Sequence, residues 1–410
     1  MNATATTEAI EPSPLARLSD EQLTQIAAEF DAIRDRVMGE LGDRDRRYIE
    51  NVIALHRRLA VLGRVLLLAS RRRPAWLAGT AALAAAKVLE NMEIGHNVMH
   101  GQWDWMNDPR IHSTTWDWDN VSPAEAWKHS HNYEHHTFTN IRGKDRDLGY
   151  EIMRVDPEQP WHPVYLLQPL YNLVLAALFE WGVALHDLNF EAIRSGEKPA
   201  WKVRQELRAI GVKVREQARK DYLAWPLLSG LAMAALGAVG QLREERREPT
   251  RRGRRRSPLG AVARRALGDG VAGFRATLAA DLTANLVRNV WAYAIIFCGH
   301  FPEETYSFSE AEVEDESPGG WYVRQLLGSA NIEGGPLFHL AAGNLGYQVE
   351  HHLFPDMPSS RYAEVAPRVR ETCHRHGLPY NSGPLGRQLG TVQRAILRLA
   401  FPGGRRRRTS

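Results

Sequence analysis

The sequence has almost no cysteine: Cys298 and Cys373 are the two among 410 residues. A single, widely separated pair cannot form a disulfide framework or a cysteine-rich zinc site. The first residues, Met1–Leu15, include acidic residues and a proline but no apolar run, so we expect no cleaved signal peptide. These absences favour a protein whose cysteines remain reduced.

Long apolar runs are also few. The mean hydropathy is −0.39, with 44% apolar and 24% charged residues, which excludes both a disordered chain and a transporter built only of membrane spans. Stretches of about 17–25 apolar residues are candidates for crossing a membrane. Tyr222–Leu242, Gln159–Phe179 and Ala276–Phe301 come close to that length. As a set they predict a chain that is partly embedded in a membrane.

Lysine and arginine number 52 against 48 acidic residues, and the predicted pI is about 9.0. Ten arginines fall in Arg243–Arg265, and the C-terminus has four more at Arg405–Arg408. No nucleic-acid-binding motif accompanies these charges, so we expect membrane lipid rather than nucleic acid as their partner.

Helical patterns prevail in the rest of the chain. Ser19-Asp-Glu-Gln22 has the form of a capping box, and the spacing of apolar residues predicts a helix from there to about Gly39. Strand patterns are scarce, so the fold class is mainly helical. We divide the chain into an N-terminal helical segment (1–50), a central domain (51–362) with an insertion at about 243–270, and a C-terminal tail (363–410).

The histidines are the candidate functional residues, because they are unevenly distributed along the chain. Seven of the sixteen histidines fall between His96 and His136. Three groups stand out: His96-Asn-Val-Met-His100, His131-Asn-Tyr-Glu-His135-His136 and Gln348-Val-Glu-His351-His352. Histidines four apart share one face of a helix and could bind the same ion, while His136 could face a second. Buried imidazoles in such number need a partner, and the sequence therefore predicts a metal site.

Seven imidazoles exceed the three or four ligands of a zinc site. Imidazole also suits iron, copper and nickel. Seven or more nitrogen ligands fit two irons that keep open positions for dioxygen, and such a centre does oxidative chemistry that side chains cannot do alone.

A zinc hydrolase is the alternative from another class. His131-Asn-Tyr-Glu134-His135 matches the reversed H-x-x-E-H pattern, in which Glu134 would be the general base. That interpretation leaves His136, His351 and His352 unexplained. A membrane scaffold with incidental histidines is a third possibility, and His135→Ala would then change neither iron content nor the lipid profile.

The three groups, in this order and around apolar segments, resemble the membrane-bound fatty acid desaturases. Gly343-Asn-Leu-Gly-Tyr-Gln-Val-Glu-His-His-Leu-Phe-Pro is similar to the branch in which glutamine replaces the leading histidine of the third box. The similarity runs from about Asn91 to Pro402 and is greatest to actinobacterial acyl-CoA desaturases, some of them named linoleoyl-CoA desaturases. The motifs are specific for the family but not for the position of the double bond.

The resemblance implies an all-α integral membrane protein with about four transmembrane helices and a cytosolic helical cap that carries three histidine boxes. It implies two iron ions, dioxygen as co-substrate and a fatty acyl substrate (acyl-CoA or acyl-lipid) that becomes a cis-unsaturated product. The metal residues that it implies are His96, His100, His131, His135, His136, His300, His351 and His352, with Gln348 or His339 at one further position. A di-iron lipid hydroxylase of the same superfamily is the sibling alternative.

The other histidines receive lesser roles. His112 and His129 could orient ligands through hydrogen bonds. The remaining ones are expected to be ordinary surface or interfacial residues: His56, His162, His186, His374 and His376.

The resemblance also implies partners and a location. No Gly-rich dinucleotide fingerprint, iron–sulfur cysteine cluster or His-Pro-Gly-Gly haem segment is present, so electrons would come from a separate ferredoxin or flavoprotein reductase. A bacterial inner-membrane protein with its active site facing the cytoplasm is expected. For all three boxes to share one side, Tyr222–Leu242 and about Leu278–Gly299 would cross the membrane while Gln159–Leu185 lies along its interface.

Overall fold

The computed structural model describes residues 13–247 and 258–403. The signal-peptide prediction and the four terminal arginines therefore lie outside the described residues, as does the middle of the Arg243–Arg265 run. The described chain is mostly helical, as the scarcity of strand patterns predicts.

The α-helices in chain order are α1 (Asp20–Gly39), α2 (Asp43–Leu67), α3 (Arg73–Leu89), α4 (Asn97–Met99), α5 (Ala124–Trp127), α6 (His136–Phe138), α7 (Gln168–Ala177), α8 (Phe179–His186), α9 (Phe190–Ser195), α10 (Ala200–Gln217), α11 (Trp225–Arg247), α12 (Pro258–His300), α13 (Pro318–Leu327), α14 (Pro336–Ala341), α15 (Gln348–Leu353), α16 (Tyr362–Arg375) and α17 (Leu385–Leu399). Wider π-helical turns occupy Glu90–His96, Lys128–His135 and Ala218–Ala224. Short 3₁₀ turns occupy Pro14–Arg17, Asp104–Met106, Leu148–Glu151, Pro163–Leu167, Glu310–Val313, Leu345–Tyr347 and Ser359–Arg361. Strands β1 (Asn331–Glu333) and β2 (Ser382–Pro384) pair in parallel, with Asn331 opposite Ser382.

Helices α2, α3, α11 and α12 pack together as a bundle. Small residues let their backbones approach closely. A Cβ on Gly63 of α2 would lie 2.9 Å from the carbonyl oxygen of Gly79 on α3, and one on Gly230 of α11 would lie 2.9 Å from that of Gly270 on α12. Such contacts are typical of helix pairs in membranes, where packing rather than water drives association.

The outer surface of this bundle is apolar. Its exposed side chains include Val61, Leu62 and Val65 on α2, Leu228, Leu231 and Leu236 on α11, and Leu282, Leu286 and Val290 on α12. Exposed apolar patches of this extent mark an interaction surface.

One helix in the described residues is long and apolar enough to cross a membrane, the continuous helical run Ala200–Arg247. It contains the predicted span Tyr222–Leu242. The other predicted span, Leu278–Gly299, lies within α12, but α12 does not reach the composition of a span. The reason is its polar residues, among them Asp281, Asn285 and Arg288, which face inward and pair inside the bundle.

The charged side chains inside the bundle form ion pairs. Arg64 of α2 contacts Asp281 at 2.7 Å, and Lys87 of α3 contacts Asp221 at 2.7 Å. Pairing removes much of the cost of burying a charge among apolar helices.

The segment predicted to lie along the membrane interface is a broken helix. The helical stretches Pro163–Ala177 and Phe179–Ser195 meet at 103°. Both expose apolar side chains, such as Leu170 and Leu173 before the break and Leu185 after it.

A separate core holds the cap helices together. Ser19 and Gln22 form the predicted capping box, and α1 begins and ends where the sequence predicts. Ile26, Phe30 and Ile33 of α1 are buried against α13, α15 and α16. Between this core and the bundle lie the three histidine groups.

Candidate metal centre

Four separate segments deliver the histidines to one place. His96 ends the π-helical turn that continues α3, and His131 and His135 lie on the π-helical turn after α5. His300 is the last residue of α12, and α15 carries His351 and His352. The clustered histidines therefore lie where the bundle helices end and the cap begins.

The histidines form two adjoining clusters. The four-histidine cluster consists of His96, His100, His131 and His351, and the three-histidine cluster consists of His135, His300 and His352. Within each cluster, one nitrogen of every ring lies within 4.8 Å of the others. A third arrangement at the same spacing joins His131 and His135 to Asp147. His131 and His135 belong to different clusters, although their rings stack with centroids 5.1 Å apart.

His136 lies between the clusters. Its ring centroid is 4.7 Å from that of His100 and 4.5 Å from that of His352. Both of its ring nitrogens are buried and lack hydrogen-bond partners in the described structure.

Gln348 and His339 have different surroundings. The Nε2 of Gln348 is 2.9 Å from the Nε2 of His300, which places the amide at the three-histidine cluster. Gly299 leaves room for it, since a Cβ there would lie 2.9 Å from the Gln348 side chain. His339 instead stacks on Tyr347, with ring centroids 4.2 Å apart, and the structure does not bring it into either cluster.

Hydrogen bonds orient the rings. The Nδ1 of His131 is 3.3 Å from Asp147, and that of His135 is 3.0 Å from Asp145. The Nδ1 atoms of three further rings have the following partners: the Asn97 side-chain oxygen for His96, the Tyr362 hydroxyl for His351 and the Gln325 side-chain oxygen for His352. Each partner can accept the Nδ1 proton, so the Nε2 atom presents its lone pair to the cluster.

The Nε2 atoms of most of these histidines have no hydrogen-bond partner in the described part of the chain. Those of His96, His100, His131, His135, His136, His351 and His352 are buried and have no hydrogen-bond partner among the described residues. Buried polar atoms are normally satisfied, so a converging set of free lone pairs indicates a missing ligand. The donor set, imidazole with carboxylate support, fits two iron ions.

The electrostatics favour the neutral form of most of these rings, whereas Asp145 raises the pKa of His135. Burial, reinforced by the neighbouring imidazoles, lowers the pKa of His96 to about 3. For the same reasons the pKa values of His100, His136, His351 and His352 lie well below the usual range. Neutral imidazole is the form that binds a metal ion.

The orienting residues are not those predicted from the sequence. His129 is exposed and stacks on Tyr133, and His112 contacts Thr114, so neither is hydrogen-bonded to a clustered histidine. Asp145 and Asp147 have that role instead. Their signal is the Asp-Arg-Asp sequence ten residues after His135, in a loop that folds back onto the π-helical turn.

One histidine placed at the surface by the sequence analysis is buried. His186, at the end of α8, is 6% exposed, and its Nε2 lies 2.9 Å from Asp147. The expectation of an ordinary surface or interfacial residue was wrong, because an isolated histidine in an apolar helix carries no spacing signal.

The structure disfavours the zinc hydrolase. Glu134, the general base of that scheme, is held by the guanidinium of Arg146 at 2.6 Å and faces His129. Its carboxylate therefore points away from the free nitrogens of His131 and His135.

An enclosed cavity adjoins the four-histidine cluster. His96 and His131 form part of its wall, and apolar side chains form much of the rest: Met92, Trp118, Trp127, Phe179, Val183, Ala292 and Ile296. Its lining also includes a buried ion pair between Arg288 and Glu180. An apolar cavity beside a metal centre suits a hydrocarbon chain.

Comparisons with known proteins agree with this geometry. A family model described as fatty acid desaturase matches residues 74–242 and 204–384. The NADPH-dependent stearoyl-CoA 9-desaturase of Mycobacterium tuberculosis is 43% identical over 387 residues, 94% of this chain and 82% of that protein. The sn-1 linoleoyl-lipid 6-desaturase of Synechocystis is 26% identical over 326 residues, covering 76% of each chain. No solved structure shows significant similarity.

Proposed function

Because the chain belongs to the fatty acid desaturase family, we propose that it introduces a cis double bond into a long-chain acyl substrate at a histidine-bound pair of iron ions. The family makes the protein an oxidoreductase of lipid metabolism. The observation that supports the di-iron proposal is the convergence of seven buried, unpartnered Nε2 atoms, six of them in the two adjoining clusters and that of His136 between the clusters.

The proposed ligands divide between the clusters. His96, His100, His131 and His351 hold one ion. His135, His300 and His352 hold the other, with Gln348 beside them, and His136 lies within reach of both. His339 has no proposed role at the metal, since it stacks on Tyr347.

A bound iron pair supplies the reduction of dioxygen and the removal of hydrogen from an unactivated carbon. The side chains do the remaining work. Asp145 and Asp147 fix the orientation of His135 and His131, so that Nε2 faces inward. Trp127 stacks on His131 with ring centroids 4.5 Å apart and helps to exclude water from the centre.

The reaction needs electrons that this chain does not supply. Two hydrogens leave the acyl chain, and together with two electrons and two protons they reduce one dioxygen to two waters. We propose that a separate ferredoxin or flavoprotein reductase delivers the electrons. The NADPH dependence in the mycobacterial relative's name supports a pyridine-nucleotide source upstream.

A long-chain acyl-CoA is the proposed substrate. The name of the mycobacterial relative, a stearoyl-CoA 9-desaturase, supports this choice, because that protein matches 94% of the chain. The apolar cavity beside His96 and His131 is the proposed site of the carbons that react.

We further propose that α2, α3, α11 and α12 anchor the protein in the bacterial inner membrane, with the metal centre on the cytoplasmic side. The exposed apolar side chains of the bundle and its glycine contacts support this arrangement. The bent pair α7 and α8 would then lie along the cytoplasmic interface.

Expression in a host that lacks its own desaturase tests the proposal. Fatty acids from cells with the wild-type chain should contain a new monounsaturated C18 acid, and the purified protein should contain two irons. His135→Ala should abolish both, since it removes a ligand whose Nδ1 is already held by Asp145. His376→Ala, at a buried histidine paired with Glu29 far from the clusters, should change neither.

Two results would contradict the proposal. A new hydroxylated acid in place of the unsaturated one would indicate the hydroxylase alternative. One zinc and no iron in the purified protein would contradict the di-iron centre itself.

A further inference from the structure

The end of α8 reaches the segment that carries His131. The Nε2 of His186 is 2.9 Å from one carboxylate oxygen of Asp147, and the other oxygen is 3.3 Å from the Nδ1 of His131. One carboxylate is therefore shared by two imidazoles, only one of which belongs to a cluster. His186 itself is not part of either cluster, and its Nε2 is bonded to Asp147.

The next residue strengthens the connection. Asp187 is buried and accepts hydrogen bonds from the hydroxyl of Ser122 at 2.5 Å and from that of Ser130 at 2.6 Å. Ser130 directly precedes His131. His186 and Asp187 thus hold residues 130–131 from two sides.

The two orienting carboxylates differ in how they are held. Asp145 accepts backbone N–H groups of its own loop, from Asn140 at 2.7 Å and from Asp147 at 3.0 Å. The Oδ2 of Asp147 faces His131. The other carboxylate oxygen of Asp147 is bonded to His186, which lies 39 residues further along the chain. The orientation of His135 is therefore secured locally, whereas that of His131 depends on α8.

We propose that His186 is a positioning residue for the four-histidine cluster: it fixes Asp147, which in turn fixes His131 so that its Nε2 faces the metal. This inference rests on the proposed ligand assignment. Because His135 has its own local support, the inference requires that loss of His186 weakens one metal position and spares the other.

Iron retention by the purified, full-length protein tests this asymmetry. Wild type, His186→Ala and His186→Gln are titrated with an iron chelator, and the iron left on the protein is measured directly. Outer-shell residues typically contribute 10–100-fold to metal affinity. We expect one of the two irons in His186→Ala to be lost at a chelator concentration at least about tenfold lower than in wild type.

The conservative variant separates positioning from packing. The terminal amide of glutamine can donate to Asp147 from the place of the imidazole Nε2, so His186→Gln should retain iron nearly as well as wild type. His376→Ala removes a buried histidine with a carboxylate partner elsewhere, and it should retain both irons. The metal-free form of His186→Ala should melt somewhat below that of wild type, because a buried, hydrogen-bonded side chain is lost, and the iron-bound form should lose more.

Four results would overturn the inference. In the first two, His186→Ala retains iron as well as wild type does, or it loses both irons at the same chelator concentration. In the third, His186→Gln retains iron no better than His186→Ala. In the fourth, His186→Ala lowers the melting temperature by the same amount with and without bound iron. A wild-type protein that binds no iron would overturn the ligand assignment and this inference together. If wild type binds two irons and His186→Ala retains them equally well, only the inference about His186 is overturned.

Discussion

Most of the clustered rings are held in a defined direction, and this is the feature that suits the histidines to the proposed metal centre. Five Nδ1 atoms are held by neighbours, while the Nε2 atoms converge without partners. Sequence spacing predicted which histidines would meet, because two boxes end in adjacent histidines and chance does not produce three such groups. It did not predict their partners, since an aspartate such as Asp147 acquires its role only when its loop folds back onto the helix.

Gln348 offers a prediction at the level of a single side chain. Its amide lies against His300, whereas His339, the other sequence candidate, stacks on Tyr347. Gln348→Leu keeps the volume but removes both polar atoms from the three-histidine cluster. We expect the iron content of purified protein to fall from two to about one per chain, with desaturation lost, because that cluster has one histidine fewer than its neighbour.

The matched variant is His339→Leu, which should keep two irons and most of the activity. Loss of iron in His339→Leu together with normal iron in Gln348→Leu would reverse the roles of the two residues.

Secondary structure was predictable where local signals sufficed. The capping box of Ser19 and Gln22 set the start of α1, and the apolar spacing set its buried face. The π-helical turns at Glu90–His96 and Lys128–His135 were not predictable, because their i→i+5 bonding has no local sequence signature and is stabilised by packing.

The start of α2 is tied to α16 by a buried ion pair. Arg361 bonds Asp45 through Nε at 2.6 Å and Nη2 at 2.8 Å. Burial by itself would raise the pKa of Asp45, but the bonds from Arg361 outweigh it and lower that pKa below its ordinary value. Asp45→Asn should reduce the free energy of unfolding by about 3 kcal/mol at neutral pH, since the buried Arg361 loses its buried charge partner and keeps only the more exposed Glu364.

The sign of the pH dependence follows from the lowered pKa. The stabilisation is complete above the unfolded-state pKa of about 3.9 and is lost as the pH falls through the folded-state value. The difference between wild type and Asp45→Asn should therefore be constant from about pH 5 to 8 and shrink below about pH 4. Asp43→Asn, at an exposed position in the same helical turn, is the control. A difference that persists undiminished below pH 3 would show that charge pairing is not its source.

At the level of the whole molecule, the basic turn between α2 and α3 lies at the end of the bundle away from the histidine clusters. Arg71, near the turn between α2 and α3, pairs with Asp269 of α12 at 2.5 Å, so this turn lies beside the α11–α12 hairpin.

From Arg73 to His96 the helix extends roughly 30–35 Å, which is about the thickness of the apolar layer of a bilayer. Apolar length alone does not mark α2, α3 and α12 as membrane spans, because they carry charges such as Arg64 and Asp281 that pair only after the bundle forms.

Thiol labelling tests this orientation, since both native cysteines are buried. Burial raises the pKa of Cys373 to about 12, which makes its thiol unreactive. Arg72→Cys and Arg264→Cys place a single exposed thiol at the bundle tip, and Glu371→Cys places one on the cap. In intact spheroplasts, a membrane-impermeant maleimide should label the two tip variants at once and Glu371→Cys only after lysis. If the bundle instead lay within one leaflet, both ends would face the cytoplasm, and all three thiols would stay unlabelled until lysis.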